Sequence, residues 1–390
     1  MTDHCHQVAV VGGGPAGRLA CALLQEARIN FVFLPGVSHR EADPRTTALM
    51  QGSIAVLEKI GLWPDPLERD SAPLRTLKIV DQTGNWPGAP TVTFDAAELG
   101  NEPFGWNVPN SSLLASLSAV LASAGNQITR EGKVRRAEIL DDRVVLHLDD
   151  KTMIAAQAVI AADGASSVCR DSAGIKTYGT TYRQLALATS FDHELSHDNC
   201  STEYHRPGGP LTTVPLPGKR SSLVWMERPD EINRLMALGE AEFSSALTIA
   251  LNGELGAVGN TGARAAFPAR SMISRSFAAK RIFLVGEAAH VLPPIGAQGL
   301  NLGFRDAEAA SARVIEAIAC SKDPGGNDVL EGYDRDRRRD VLPRGMGVDL
   351  MNRSLLSQML PGQLVRAAGL LALQRFGRLR RTVMREGIGA

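Results

Sequence analysis

At 390 residues the chain exceeds one ordinary hydrophobic core, which points to two interleaved domains, and its 44% hydrophobic and 22% charged residues are usual for a globular protein. Lys and Arg (42) balance Asp and Glu (42), so a formal net charge of zero argues against nucleic acid as a partner. Cys5, Cys21, Cys169, Cys200 and Cys320 are too scattered for a zinc motif or a disulfide framework and suit a reducing compartment.

The first element is QVAVVGGGPAGRLACALLQEARINFVFL, residues 7–34. An apolar strand from Val8 to Val11 runs through Gly12, Gly14 and Gly17 into a helical pattern and then a second strand, Phe31 to Leu34. Strand, tight turn, helix and strand in that order predict a dinucleotide site. Gly12 makes the turn, Gly14 lets a pyrophosphate approach the backbone, and Gly17 allows close helix–strand packing. The helix start offers free N–H groups and partial positive charge to phosphates. An acid normally closes the second strand and holds the ribose hydroxyls, but that position is Pro35, which can do neither. Ser38, Glu41 and Asp43 are candidate substitutes. A strand beginning at about Gln7 leaves no room for a secretory leader, and no apolar run approaches the roughly eighteen residues of a spanning helix, so a cytoplasmic location is expected.

Further along, GNWPGAPTVTF (84–94) and the segment 185–229 are rich in β-branched residues and turn formers and read as antiparallel strands. Between them AVIAADGASSVCR (158–170) is another apolar strand that ends in Asp163-Gly164, with Ser167 and Arg170 after it. Residues 240–252 read as helix. The apolar run Ile282 to Val285 leads into GEAAHVLPPIGAQGLNLGFRDA (286–307), where two prolines and several glycines precede a helix expected from about Leu300. A loop with so many special backbone positions has something lying against it. The tail from Leu364 to Arg385 sets Leu364, Val365, Ala368, Leu371, Phe376, Leu379 and Val383 at helical spacing among Arg366, Arg375, Arg378, Arg380, Arg381 and Arg385. Either a membrane surface or the nucleotide domain could lie under such a helix.

Taken together, these motifs resemble the single-component FAD-dependent aromatic hydroxylases of the para-hydroxybenzoate hydroxylase type. Asp43-Pro44-Arg45-Thr46-Thr47-Ala48-Leu49, LEKIGLW (57–63) and the tail LVRAAGLLALQRFGRLRRTVM are most similar to the ubiquinone-biosynthesis hydroxylases. The resemblance covers nearly the whole chain. It implies an α/β protein with a Rossmann-type FAD-binding domain (1–75, 104–180 and 266–330), an antiparallel-sheet substrate domain (76–103 and 181–265) and a C-terminal helical segment (331–390).

The resemblance also implies a cofactor site of Gly12, Gly14, Ala16, Gly17, Arg45, Asp163, Gly164, Arg170, Gly286, Glu287, Gly296, Gln298, Gly299, Leu300 and Asn301. Pro293 to Gly299 would run past the flavin ring, with Pro293 and Gly299 as the residues nearest the chemistry and no acid–base residue assigned. His290 sits just beyond the ribitol contact. Most members of that family carry Gly-Asp where this chain has Gly286-Glu287, one methylene longer. Asn301 reads equally as a donor to the ring or as a helix-start residue. The implied activity is ring hydroxylation of a prenylphenol with FAD, NAD(P)H and O2, in a biosynthetic complex or at a membrane surface. A flavin reductase or epoxidase on the same scaffold, and a non-catalytic partner with a degenerate FAD site, are the alternatives.

Overall fold

Val8 to Val11 are apolar without alternation, as a strand covered on both faces requires. In the computed structural model, which describes residues 5–36, 43–84, 88–123, 128–356 and 360–388, His6–Val11 is the centre of a parallel sheet. Val10 stands beside Phe33 of Phe31–Leu34 on one side and Ile160 of Met153–Ala161 on the other. Ile282–Leu284 and Ile128–Thr129 extend this sheet in parallel on its two sides, and Ala278–Ala279 adds an antiparallel edge beyond Ile282–Leu284. Val134–Ile139 and Val144–Leu148 continue it in antiparallel fashion from Met153–Ala161. Helices Pro15–Glu26, Asn110–Ser123 and Gln298–Ala319 share its core through Leu19, Leu24, Leu113, Leu117, Leu302 and Phe304.

A second, nine-stranded sheet runs in the order 290–291, 265–274, 177–193, 220–227, 211–216, 200–205, 76–81 and 92–95, with 258–259 paired alongside 177–193. It is antiparallel except where 76–81 runs parallel to 200–205. One face carries Leu187, Phe191, Tyr204, Leu211, Leu223 and Trp225, covered by Ile232, Leu235, Phe243 and Leu247 of helices Pro229–Ala237 and Glu240–Ala250. Side chains alternate along a strand, so Ala186, Val224, Met226, Val214 and Ile79 emerge on the other face. There they meet Ile295 and Ala297 of the loop that follows Ile282–Leu284. That inner face positions the site.

A three-stranded sheet, in which Gly105–Pro109 pairs with Thr46–Met50 and Ala72–Leu74, joins the two. Helix Asn327–Leu356 packs on the nucleotide-binding half, and Leu360–Arg375 and Gly377–Ile388 follow as a helical hairpin. The hairpin lies against both halves, and its Gly387 lines a cleft with Gly52, Ser53, Leu302 and Arg305. Its Leu370 and Met384 are buried with Ala48, Phe104, Val92 and Phe94, at the seam between the three-stranded and nine-stranded sheets. Of the residues that read as an apolar helical face in the sequence, Leu364, Ala368, Leu371, Phe376, Leu379 and Val383 are exposed instead, Leu371 at 50% and Phe376 at 62%. Among the described residues Leu370 and Met384 seat the hairpin, which leaves much of the more regular stripe exposed.

Candidate active site

Four parallel strands end side by side, and their carboxyl ends are joined by backbone bonds. Gly12 N–H donates to Leu34 O, Ala162 N–H to Val11 O and Val285 N–H to Ala161 O, at 2.7 to 2.9 Å. This is the edge at which open α/β sheets bind ligands. The first turn is fixed by the absence of side chains. Gly12 has φ +115°, and a Cβ there would lie 2.1 Å from Ala162 O; one on Gly17 would lie 2.1 Å from Gly12 O. A Cβ on Gly14 would meet nothing within 4 Å. Gly12 and Gly17 are therefore packing glycines, while Gly14 borders open space. Ala16 packs its methyl against Gly286 and Gly303, so its small size lets the first helix approach the third turn.

The second turn, Asp163-Gly164, has Gly164 at φ +81° with open space beside it. One Asp163 oxygen accepts from Cys169 N–H at 3.1 Å, and the other is buried with no partner. The third turn, Gly286-Glu287-Ala288, leaves Glu287 exposed and Gly286 buried. Arg170 ties these two turns together, because its Nη1 donates to Ala165 O at 3.1 Å and to Ala288 O at 3.2 Å.

Behind the third turn lies a buried charged cluster that no motif announced. Asp306 accepts from Gly286 N–H at 2.9 Å and from Arg337 Nε at 2.6 Å, and its Oδ2 is 2.7 Å from His290 Nε2. Asp306 and His290 are almost fully buried. Burial alone would raise the Asp306 carboxyl, but His290, Arg337 and the Gly286 N–H outweigh it and hold the group below its ordinary value. One carboxylate thereby fixes both ends of the segment 286–290. His290 is a positioning group here. The signal available in the sequence was an acid on the buried stripe of an amphipathic helix, beside Leu302, Gly303, Ala307 and Ala310.

Between Pro293, which is buried, and the following helix the chain turns sharply. Gly296 and Ala297 both have left-handed backbones, φ +64° and 53°, so the helix begins at Gln298, two residues earlier than Leu300. Gly299 has an ordinary helical backbone and open space around its Cα, so its missing side chain serves room alone. Leu300 packs on the parallel-sheet core, and Gln298 turns its side chain back to Gly296 O at 3.0 Å. Asn301 is a clamp. Its Oδ1 accepts from Met50 N–H and Ser53 Oγ, and its Nδ2 donates to Ala48 O and Ala297 O, which occupies the whole amide.

Arg45 donates to both Asp43 oxygens at 2.7 Å and stacks 4.6 Å over the Phe267 ring. The Asp43 hydrogen bonds raise its already high pKa, and the charge of Glu287 adds to the effect. Asp43 is thus spent on Arg45 and Asn110. Ser38 and Glu41, the other proposed substitutes for the ribose contact, lie outside the described residues.

These features fit a flavin dinucleotide. Gly14, Gly164, Gly296 and Gly299 all border open space, Asp163 has a buried oxygen without a partner, and a helix begins at the sheet edge at Pro15. Compared with known proteins, residues 5–342 match the family described as FAD binding domain. The ubiquinone hydroxylase UbiL of Rhodospirillum rubrum is 32% identical over 404 residues, covering 99% of this chain and 90% of that protein. The 3-demethoxyubiquinol 3-hydroxylase of Escherichia coli is 30% identical, with 100% of each chain covered. Among solved structures, p-nitrophenol 4-monooxygenase PnpA from Pseudomonas putida DLL-E4 shares the fold, with a TM-score of 0.78 at 22% identity over 98% of both chains.

Proposed function

The chain belongs to the FAD binding domain family as an FAD-dependent monooxygenase, and from that premise we propose that it hydroxylates the aromatic ring of a prenylated phenol in ubiquinone biosynthesis. The observation that carries this reading is end-to-end similarity to two ubiquinone hydroxylases, which favours hydroxylation over the reductase, epoxidase and non-catalytic alternatives. When bound, FAD supplies electron transfer from NAD(P)H and activation of O2.

The chain supplies placement. Gly12 to Gly17 shape the phosphate turn, Arg170 and Asp306 hold the two later turns, and Asp163 and Glu287 offer carboxylates to hydroxyl groups. The N–H groups at the start of Gln298–Ala319 set fixed partial positive charge beside the open space at Gly296 and Gly299, where developing negative charge is stabilised without a flexible side chain. The apolar inner face formed by Ala186, Val214, Val224 and Met226 keeps water away from the ring. Incubation with NADPH, O2 and a short-chain prenylphenol should give one product that is heavier by one oxygen, on the ring. Reduction or epoxidation of the side chain without ring oxygenation would overturn the reading.

We propose also that the C-terminal hairpin touches an anionic membrane surface. No helix among the described residues is long and apolar enough to cross a membrane. Leu371, Phe376, Leu379 and Val383 are exposed, and Arg375, Arg378 and Arg385 are exposed beside them. Arg380 is not available, because it binds both oxygens of Glu98 at 2.9 Å. Each free arginine near an anionic surface contributes about 1 kcal/mol. Co-sedimentation with anionic vesicles should fall when Arg375, Arg378 and Arg385 become Gln, and fall with salt. Equal sedimentation of the two proteins would remove this contact and favour a place for the patch in a biosynthetic complex.

A further inference from the structure

We propose that Glu203 and His205, on the inner face of the nine-stranded sheet, receive the hydroxyl group of the phenolic ring, with His205 taking its proton and Glu203 holding His205 in position. The proposal rests on the hydroxylase reading above and names the side chains that would recognise its substrate.

Along Cys200–His205, Tyr204 turns to the helix-covered face and packs with Leu211 and Trp225. Ser201, Glu203 and His205 therefore turn to the inner face. The strand register sets Glu203 opposite Thr212, Thr212 opposite Val224 and Val224 opposite Ala188; in the other direction Glu203 stands opposite Ile79, and Ile79 opposite Val92. Glu203 is the one charged residue in this row. Val224 packs with the cluster around Ile295, whereas Ile79 and Val92 belong with the cluster around Ala297. The carboxylate thus stands between the sheet regions touched by the two residues that flank Gly296 in the ring loop.

His205 lies two residues on, with its Nε2 2.8 Å from Glu203 Oε1. The imidazole is 2% exposed and the carboxylate 14%. His205 Nδ1 is buried with no hydrogen-bond partner. In the tautomer whose Nε2 donates to Glu203, Nδ1 is left as a bare acceptor. A base oriented by a second group, with its working nitrogen free, is a recurring arrangement for taking a proton from a hydroxyl.

A phenol supplies the missing donor. Its O–H bond breaks, the proton goes to Nδ1, and the electron pair stays on the phenol oxygen, which makes the ring more electron-rich. Glu203 stabilises the imidazolium that results, and the proton returns to the product oxygen. No oxidation or reduction is involved in this transfer.

The test uses the full-length FAD-loaded protein, His205→Gln and Glu203→Gln, each with a short-chain prenylphenol and its methyl ether. Binding is read by quenching of intrinsic fluorescence, whether or not turnover occurs, and product is measured separately. The wild type should prefer the phenol over the ether by about tenfold or more, the scale of one hydrogen bond to a buried or charged partner. His205→Gln should lose that preference while binding the ether as before. Glu203→Gln should keep most phenol binding and lose kcat. A phenol-to-ether ratio unchanged in His205→Gln would overturn the assignment, even if the wild type hydroxylates the prenylphenol normally. A wild type that shows the ratio but forms no ring-oxygenated product would support the dyad and overturn the hydroxylase reading.

Discussion

Two turns at the carboxyl edge of the parallel sheet, both proposed here to face the flavin dinucleotide, are built by opposite means. Residues 12–17 hold their shape because there is no room for a side chain, with carbonyl oxygens 2.1 Å from where a Cβ on Gly12 or Gly17 would sit. Residues 286–290 hold theirs because one buried carboxylate, Asp306, grips the backbone at Gly286 and the ring of His290 while Arg337 balances its charge. A turn fixed by sterics resists substitution at its packed glycines, Gly12 and Gly17, and leaves its mark in glycine spacing. A turn fixed by electrostatics depends on distant partners and on pH.

The strongest break is expected in the steric turn. Gly12→Ala combines a left-handed backbone with a collision against Ala162 O, and should cost about 3 kcal/mol or more. Little folded protein, or a melting temperature lower by several degrees, is the expected result. Gly14→Ala is the control, since a Cβ there meets nothing in the protein; it should melt near the wild type and lose FAD affinity instead.

The electrostatic turn should break next. Asp306→Asn keeps the size of the side chain but takes from buried Arg337 the nearer of its two carboxylate partners, leaving only Asp340 at 3.0 Å, a change of up to about 3 kcal/mol. Because the folded carboxyl titrates below its unfolded value of about 3.9, its contribution is complete above that pH and is lost as pH falls through the folded value. Thermal melts of the wild type should therefore drop steeply below about pH 4, and those of Asp306→Asn less so. Parallel curves for the two proteins would show that Asp306 does not carry the acid sensitivity.

The same contrast explains what could be read in the sequence. The strand–turn–helix at Gly12 to Gly17, the Asp163-Gly164 turn and the two-proline loop are local, so spacing exposed them. Asp306 and Arg337 lie 20 residues beyond Gly286 and 31 residues beyond Asp306, and only the packing of helices Gln298–Ala319 and Asn327–Leu356 unites them. The Glu203–His205 pair was silent for a related reason, since two polar residues two apart gain meaning only when the sheet register shows which face they share. Asn301 misled in the other direction: its place at a helix start suggests a cap or a free donor, whereas its four hydrogen bonds all run to protein groups.

A substitution at Gly299 separates room from fold within the loop. Gly299→Val should leave the apoprotein within about 1 kcal/mol of the wild type, because the site is helical and open. Flavin-dependent NADPH oxidation should nevertheless be lost, since a branched side chain would enter the space beside the ring loop. Near-normal NADPH oxidation by a folded Gly299→Val protein would sink the placement of that loop.

The smallest effect is expected at Glu287, where the charge-held turn presents its own side chain. This carboxylate is exposed, its field reaches Arg45, and Arg45 is in turn held by both oxygens of Asp43. A glutamate reaches one methylene further than the aspartate that the family resemblance implies here, so the contact we propose with a cofactor hydroxyl would need a shifted rotamer. Glu287→Asp should tighten FAD binding by up to about tenfold, near 1.4 kcal/mol, in a fluorescence titration of the apoprotein. Pro35→Glu should act in the same direction and independently, because Pro35 lies against Gly13 at the first turn and not at the third. Were Glu287→Asp to bind FAD no better, the longer side chain would already be accommodated by the Arg45–Asp43 pair. Combining it with Asp43→Asn would then weaken binding more than the two separate changes predict.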